Sequence, residues 1–274
     1  YIPYDKRGAV SGMMILRFIF GFLFGSALGS FLNVVALRTI TGTSWWGKER
    51  SRCPECGATL GPRDLIPLLS WFLLRGKCRT CGSAIPFLYL AAEIATGTVT
   101  AVLLWRWGVP FGIHTLLALL LGTFMLLNSF TDLYNGYIYD LFALLPGGLG
   151  LGLRLFGGLP GILDGLGGAA LGYGVIAGII LLTKVLMKQE GMGWGDAHLM
   201  AGAGAILGWK FASLALYLGF MLGGMVILPL FLLKKVQRKD AIPLGPFLAL
   251  GSILTLVVGP QLLDFLYFSS SWPW

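Results

Sequence analysis

Four cysteines in two close pairs form the clearest chemical pattern in the sequence. They occur as Cys53-Pro-Glu-Cys56 and Cys78-Arg-Thr-Cys81, with residues 57–77 between the pairs. Such a double C-x2-C spacing is typical of a tetrahedral zinc site, and thiolates favour zinc over magnesium or calcium. Four thiolate ligands leave no open position, so the metal is predicted to be structural. Two disulfides are the alternative, which a reducing compartment would disfavour.

Two aspartates follow apolar stretches and are candidates for acid–base chemistry. They are Asp132, at the end of Asn128-Ser-Phe-Thr-Asp132, and Asp196, at the end of Gly191-Met-Gly193-Trp-Gly195-Asp196. If the two carboxyl groups meet, they share one proton, so that one activates water and the other protonates a departing amine. The alternatives are a solvated loop acid for Asp132 and a simple helix-capping role for Asp196. Spacing alone does not show that they meet.

Other polar residues near the apolar stretches have separate predicted roles. Asp140 is expected to be the N-cap of the helix that follows it. Glu93 lies deeper, on the second helix, and is expected to need a polar partner that the sequence does not name. Asp164 is expected to be solvated at the opposite face. His198 follows Asp196 by two residues, about 200° around a helix, and need not face the same site.

The composition places these residues in a membrane protein. Of 274 residues, 56% are hydrophobic and 12% are charged, and the mean hydropathy is +0.81. A soluble domain would carry about 25% charged residues. The first apolar run is too long for the core of a signal peptide. The pattern predicts an all-α polytopic membrane protein with about eight transmembrane helices, near 13–37, 87–107, 112–130, 141–156, 166–187, 196–209, 212–233 and 242–266.

The basic residues predict how these helices are oriented. Eight of the 20 lysines and arginines lie in the segment from Arg38 to Pro86, and six more lie at or just after the ends of the fifth and seventh helices. With eight helices and the N-terminus outside, all of these lie in the cytosol, as the positive-inside rule requires. The zinc loop, Asp132, Asp140 and Asp196 then lie at the cytosolic face. The net charge of +8 is thereby explained by topology, and no nucleic-acid partner is predicted.

Several motifs in order resemble the type IV prepilin peptidases of bacterial membranes. Gly191-Met-Gly193-Trp-Gly195-Asp196 matches the family's G-x-G-D signature, in which Gly193 and Gly195 are the motif glycines. The family's catalytic aspartates map onto Asp132 and Asp196. Gly25–Asn33 resembles the family's first-helix motif, Arg52–Cys81 resembles its zinc domain, and Pro243–Gly251 resembles its last-helix motif.

The resemblance implies fold, activity and partners. It implies an N-terminal segment with the first helix (1–37), a cytosolic zinc-binding domain (38–86) and a membrane-embedded aspartic peptidase domain (87–274). Such enzymes cleave the basic leaders of prepilins and pseudopilins in the cytoplasmic membrane, then N-methylate the new terminus with S-adenosylmethionine. No residue can be assigned to S-adenosylmethionine from the sequence. The family's usual residues differ here at His198, at Ile138-Tyr-Asp140 and at Phe87–Glu93.

Two other classes of function fit parts of the pattern. A transporter that uses intramembrane acids as a proton relay would place them near the middle of the membrane, whereas Asp132 and Asp196 are predicted at one face. A metal sensor or scaffold built on the cysteines gives no reason for the G-x-G-D sequence. Within the protease class, a preflagellin or another signalling helix is an alternative substrate.

Overall fold

Most of the residues that the structure describes lie in α-helices. A computed structural model describes residues 4–45, 50–108, 112–188, 192–235 and 243–265. Gly191 and three of the basic residues predicted to lie in cytosolic loops, Lys48, Arg238 and Lys239, are outside these ranges. The described helices are α1 (Tyr4–Ile40), α2 (Leu69–Leu73), α3 (Phe87–Trp107), α4 (Ile113–Asn135), α5 (Asp140–Arg154), α6 (Gly158–Met187), α7 (Trp194–Leu207), α8 (Trp209–Leu232) and α9 (Gly245–Phe265). The predicted all-α class is confirmed.

Six of the described helices are long and apolar enough to cross a bilayer. They lie within Met14–Ile40, Phe87–Trp107, Ile113–Asn135, Gly158–Leu186, Trp209–Leu232 and Gly245–Phe265. The other two long helices, α5 and α7, have 15 and 14 residues. At 1.5 Å per residue each reaches only about 22 Å, less than the ~30 Å hydrocarbon core. The multi-pass membrane fold is confirmed, but eight complete spans are not.

The described residues form two compact units. One comprises those of the range 1–108 and the other those of the range 109–274. In the first unit, α1 packs along α3 through glycines four residues apart. A Cβ on Gly21 would lie 2.8 Å from the Cα of Ala101, and one on Gly25 would lie 2.6 Å from the Cβ of Thr100. Small residues at this spacing allow membrane helices to approach closely.

In the second unit, the short helices α5 and α7 lie side by side and run in the same direction. The carboxylate of Asp140, at the start of α5, lies 2.7 Å from the Nδ1 of His198 near the start of α7. The guanidinium of Arg154, at the end of α5, donates to the carbonyl oxygen of Ile206 near the end of α7 at 2.7 Å. The two helices are therefore parallel, with their starts level with each other and their ends level with each other. Around them, α6 packs on α7 and α8, and α9 packs on α4 and α8.

Asp164 lies in this unit as the partner of a buried arginine. An Arg154 Nη1 donates to the Asp164 carboxylate at 2.9 Å and to the Gly161 carbonyl at 2.9 Å. The Arg154 side chain is 1% exposed and that of Asp164 is 23% exposed. The expectation that Asp164 is solvated is therefore wrong, because a buried guanidinium requires a counter-charge.

Candidate active site and metal centre

Asp132 lies inside α4, and its carboxylate is held by the start of α9. The helix continues to Asn135, beyond the predicted end at 130, and closes on Gly136 in the left-handed conformation (φ 69°). The backbone N–H of Gly245 donates to Asp132 Oδ2 at 2.9 Å, and the residue is only 7% exposed. The first amides of a helix have no intrahelical acceptor and favour a negative charge. Asp132 is therefore not a solvated loop acid.

Asp196 occupies the first turn of α7, outside the six candidate spans. It is the third residue after the N-cap Gly193 and is 7% exposed. Its Oδ1 is buried and, within the described part of the chain, has no hydrogen-bond partner. Burial, reinforced by the charge of Asp132, raises the pKa of Asp196 to about 7, although the Gly193 backbone opposes this by hydrogen bonding. The carboxylate thus has a partial capping role and one oxygen left over.

Ile138 contacts the elements that carry both aspartates. A Cβ on Gly195 would lie 2.8 Å from the Cβ of Ile138, so glycine is required for this approach. The Ile138 Cδ1 would also lie 3.2 Å from a Cβ on Gly245, the residue that binds Asp132. Gly195 therefore lets the start of α7 pack against the α4–α5 turn. Ile138 thus lies between Gly195 and Gly245, the neighbours of Asp196 and Asp132, and both aspartates are buried beside it.

A second polar pair lies beside this site. Asp140 is the first residue of α5, and Tyr139 is the N-cap, so the predicted capping role of Asp140 is wrong. Its carboxylate instead pairs with His198, whose ring is stacked on Tyr173 with centroids 5.8 Å apart. Asp140 is exposed, in contrast to Asp132 and Asp196. The pair links α5 to α7 without joining the buried carboxyl groups.

The four cysteines lie together in the loop between α1 and α3. Their Sγ atoms are all within 4.8 Å of one another, and Cys53 Sγ lies 3.9 Å from Cys81 Sγ. Four thiolates around a zinc ion with Zn–S bonds of about 2.3 Å would be ~3.8 Å apart. The donor set and its spacing therefore fit a tetrahedral metal ion.

The two cysteine pairs have the same backbone structure. In the first, the Cys53 N–H donates to the Ala58 carbonyl and the Gly57 N–H to the Cys53 carbonyl, both at 2.9 Å. In the second, the Cys78 N–H donates to the Ser83 carbonyl at 2.8 Å, and the Gly82 N–H donates to the Cys78 carbonyl at 2.9 Å. Gly57 and Gly82 have φ values of 71° and 74°, which glycine adopts readily. Each pair is thus a tight knuckle that turns both thiols to one side.

The environment of Cys53 and Cys81 favours the charged thiolate that binds a metal, whereas at Cys56 the opposing Ala58 backbone is outweighed by burial and the neighbouring thiols, which raise its pKa to about 11. Backbone N–H groups of Cys56 and Glu55, with the Ser83 hydroxyl, lower the pKa of Cys53 to about 6. The Ser83 hydroxyl, 3.1 Å from Cys81 Sγ, is also the largest influence that lowers the pKa of Cys81. Hydrogen bonds of this kind orient metal ligands and tune them.

Three features of the described sites were not foreseen from the sequence. Gly245 lies 113 residues from Asp132 and Ile138 lies 58 residues before Asp196, so spacing alone does not indicate their contacts, and their types alone indicate no chemistry. Glu93 was expected to need a partner, and it has one: the backbone N–H of Leu68 donates to Glu93 Oε2 at 2.7 Å. Leu68 has a positive φ of 63°, a conformation that leucine rarely adopts and that no sequence pattern would indicate.

Comparisons with known proteins match both units. Residues 23–107 match the bacterial peptidase A24 N-terminal domain, and residues 119–228 match the type IV leader peptidase family. A protein of Aeromonas hydrophila named prepilin leader peptidase/N-methyltransferase is 33% identical, over 92% of this chain and 94% of its own length. Proteins of the same name from Bacillus subtilis and Pseudomonas aeruginosa are 32% and 31% identical, over 89% and 88% of this chain and 95% and 90% of their own lengths. No solved structure matches significantly.

Proposed function

Since the chain belongs to the type IV leader peptidase family, we propose that it is a membrane-embedded aspartic endopeptidase. Its substrates are type IV prepilins and type II secretion pseudopilins, from which it removes the basic leader. The observation that carries the proposal is the buried pair of carboxyl groups, Asp132 and Asp196, with one Asp196 oxygen unpartnered among the described residues. A buried carboxyl group with a spare oxygen is suited to bind water or a reacting amide.

The two carboxyl groups are proposed to divide the acid and base roles. Asp196, with its pKa raised to about 7, carries the shared proton near neutral pH, and Asp132 carries the charge. Asp132 takes a proton from water as the water oxygen attacks the scissile carbonyl carbon. Asp196 gives its proton to the amide nitrogen as the C–N bond breaks. The products are a new carboxyl group on the leader and a free amine on the mature chain.

The proposed location is the bacterial inner membrane, with the zinc domain in the cytosol. The support is the concentration of lysine and arginine in the loops predicted to be cytosolic. The substrate is itself a membrane helix preceded by a basic leader, so its scissile bond lies near the headgroups. The starts of α5 and α7 carry the carboxyl groups Asp140 and Asp196 and are placed at the same face by this topology.

Two cofactors belong to the proposal. Zinc, held by Cys53, Cys56, Cys78 and Cys81, is structural because the four thiolates fill its coordination sphere. S-adenosylmethionine supplies a methyl group to the new N-terminal amine and leaves as the neutral thioether, while the amine loses a proton. The sequence of events requires cleavage first, because the amine is free only after the leader is removed.

Cleavage of a purified prepilin by the purified, lipid-reconstituted protein tests both reactions. Mass analysis of the mature chain should give a terminus at the leader junction, heavier by one CH2 when S-adenosylmethionine is present. Omission of S-adenosylmethionine is the control for the second step. Persistence of intact prepilin with the wild-type protein would contradict the proposed peptidase, and cleavage without added mass would contradict the methylation alone.

A further inference from the structure

One buried side chain close to the aspartates has no place in the proposed reaction. Within the described part of the second unit, two buried acceptor oxygens have no hydrogen-bond partner, Asp196 Oδ1 and Asn128 Oδ1. The proposed reaction accounts for the free oxygen of Asp196. It does not account for Asn128, which is 0% exposed. Buried polar atoms without a partner are rare in proteins, and each indicates strain, a catalytic role or an ordered water.

The orientation of the Asn128 amide is set by α4 itself. Its Nδ2 donates to the carbonyl oxygen of Phe124 at 2.8 Å. A flipped amide would bring two acceptor oxygens together, so the unpartnered atom is the side-chain oxygen. The neighbouring hydroxyls are satisfied, because Ser129 donates to the Met125 carbonyl at 2.8 Å and Thr131 donates to the Asn128 carbonyl at 3.0 Å. Asn128 therefore differs from these neighbours in having an acceptor that needs a donor.

Asn128 lies within a candidate membrane span, where an unpartnered acceptor is costly. Residues 125–132 of α4 are all buried, so the Asn128 side chain reaches neither the headgroups nor bulk water. Burial of a polar group without a hydrogen bond costs free energy, and water is scarce in the membrane interior. Leucine has a similar volume and would avoid this cost. An asparagine at this position thus indicates a bound donor.

Asn128 precedes Asp132 by one helical turn and lies on the same side of α4. Residues four apart on a helix have Cβ atoms about 5–6 Å from each other. The Gly245 N–H donates to Asp132 Oδ2 at 2.9 Å, which leaves Oδ1 for another donor. Two O–H···O bonds of ~2.8 Å through a single water span roughly 4–5 Å. One water can therefore donate one hydrogen to Asn128 Oδ1 and the other to Asp132.

We propose that a buried water molecule bridges Asn128 Oδ1 and the Asp132 carboxylate, and that Asn128 is thereby a positioning residue for the catalytic base. The inference rests on the proposed aspartic peptidase function. Buried waters typically make about three hydrogen bonds to groups that would otherwise be unsatisfied. Water supplies two donors, and both oxygens here are acceptors. The water holds Asp132 from the preceding turn of α4, while Gly245 holds it from α9.

The bridging water makes the two aspartates unequal. Asp132 accepts from the Gly245 N–H and from the water, whereas one oxygen of Asp196 has no partner among the described residues. Donors to a carboxylate favour its charged form. Asp132 is therefore held as the charged base and Asp196 keeps the shared proton. This is the division of roles that leader cleavage needs.

A structure of the full-length protein in lipid nanodiscs, at a resolution that shows ordered waters, tests the bridge directly. We expect water density within hydrogen-bond distance of both Asn128 Oδ1 and Asp132 in the wild type, and none there in Asn128→Leu. Absence of the water from the wild type, a protein donor on Asn128 Oδ1, or a water that reaches Asn128 without reaching Asp132 would each overturn the inference. No substrate is needed, so a wild-type protein that shows the water but does not cleave prepilin contradicts the peptidase proposal alone.

The kinetics of leader cleavage by variants test the positioning role. Asn128→Leu removes the acceptor at similar volume and should lower kcat about tenfold with KM unchanged, the loss expected for one hydrogen bond to a charged group. The low-pH limb of kcat/KM reports ionisation of the base and should move to higher pH by about one unit. Ser129→Ala is the matched control, because Ser129 is buried next to Asn128 and its hydroxyl is bonded within α4. A purely structural role would lower the thermal midpoint of unfolding and leave the pH profile in place.

Asn128→Thr is the conservative variant for rescue. A threonine hydroxyl can donate to the carbonyl four residues earlier and still accept from a water, so it should recover part of the lost rate. Asp196 and the Asp140–His198 pair titrate in every variant, so a difference between the profiles belongs to Asp132. Wild-type kcat and an unmoved pH profile in folded Asn128→Leu would overturn the positioning role. If Asn128→Leu does not fold, the wild-type structure and the kinetics of Asn128→Thr decide.

Discussion

The backbone N–H of Gly245 donates to the carboxylate of Asp132 at 2.9 Å, and so joins the start of α9 to the end of α4 across 113 residues of sequence. A Cβ on Gly245 would lie 2.7 Å from the same Asp132 oxygen, closer than real Cβ atoms approach. The last helix therefore fixes the position of one proposed catalytic carboxyl group. The Pro243–Gly251 motif therefore has a structural role, because its Gly245 positions Asp132.

Replacement of either buried aspartate by asparagine should abolish leader cleavage. Asn keeps the size of the side chain and removes the titratable proton, and acid–base groups contribute about 10²–10⁴ in rate. Asp132→Asn and Asp196→Asn should therefore each lose at least this factor while retaining zinc. A helix-capping role alone predicts a nearly neutral Asp196→Asn, because Asn is also a good cap.

Asp140→Asn is the comparison for these variants, since Asp140 is exposed and paired with His198. It should retain substantial cleavage. Rapid cleavage by the Asp132→Asn, Asp196→Asn double variant would refute the aspartic mechanism.

Gly245→Ala should slow cleavage without unfolding the protein. The added methyl group must displace the Asp132 carboxylate, and a misplacement of about 1 Å can cost ~100-fold in rate. Gly224→Ala in α8 is the matched control, because nothing lies within 4 Å of its added Cβ. The turnover number of both variants measures the effect on cleavage, and the thermal midpoint of unfolding shows whether the fold is retained. Equal turnover in the two variants would show that the close contact has no catalytic consequence.

Cleavage should decline as the pH rises above about 7. The pKa of Asp196 is raised to about 7, so the carboxyl group holds its proton below that pH and loses it above. Once both aspartates are ionised no acid remains, and kcat/KM should fall about tenfold per pH unit. Rates in reconstituted vesicles, with thermal midpoints at each pH, separate this effect from unfolding. A rate that is flat well above pH 7 would contradict the shared proton.

Purified protein should contain one zinc ion per chain. Cys53→Ser and Cys78→Ser should each reduce the zinc content, because both sulfur atoms belong to the four-thiol cluster. Cleavage should be affected less directly than methylation, because a metal with four thiolate ligands has no open position to activate water. Elemental analysis checks the stoichiometry, with Ser51→Ala as a control outside the thiol cluster. Full zinc occupancy in the Cys53→Ser, Cys78→Ser double variant would refute the metal centre.

Labelling with an impermeant maleimide should place residues 45–80 and 234–240 in the cytosol. After native thiols are protected by zinc, Arg63→Cys and Lys235→Cys should react in inside-out vesicles only. Lys210→Cys should react only in right-side-out vesicles, since it is predicted at the opposite face. The same reaction pattern for all three positions would mean that a helix has been miscounted.

The helices and the cysteine centre were predictable because their evidence is local. Apolar runs indicate membrane helices, and the spacing of Cys53, Cys56, Cys78 and Cys81 indicates a knuckle pair. The contacts of Asp132 and Asp164 were not predictable, because Gly245 and Arg154 reach them from other helices. The place of Asp164 in the sequence carries no information about a buried counter-charge. The two aspartates were identified by resemblance, and their mutual position depends on tertiary packing around Ile138.

The matched short helices α5 and α7 have polar groups at both ends: Asp140 with His198 at one, and Arg154, paired with Asp164 of α6, at the other. About 22 Å separates these ends, roughly 8 Å less than the hydrocarbon thickness of an ordinary bilayer. A bilayer meets such hydrophobic mismatch by local thinning. We therefore expect lipids to be compressed beside α5, where Leu141, Leu145 and Leu149 are exposed, and a prepilin helix that diffuses into this thin zone should expose more of its N-terminal end to water. Lipid chain length then becomes a variable of the reaction, with longer acyl chains opposing entry of the substrate.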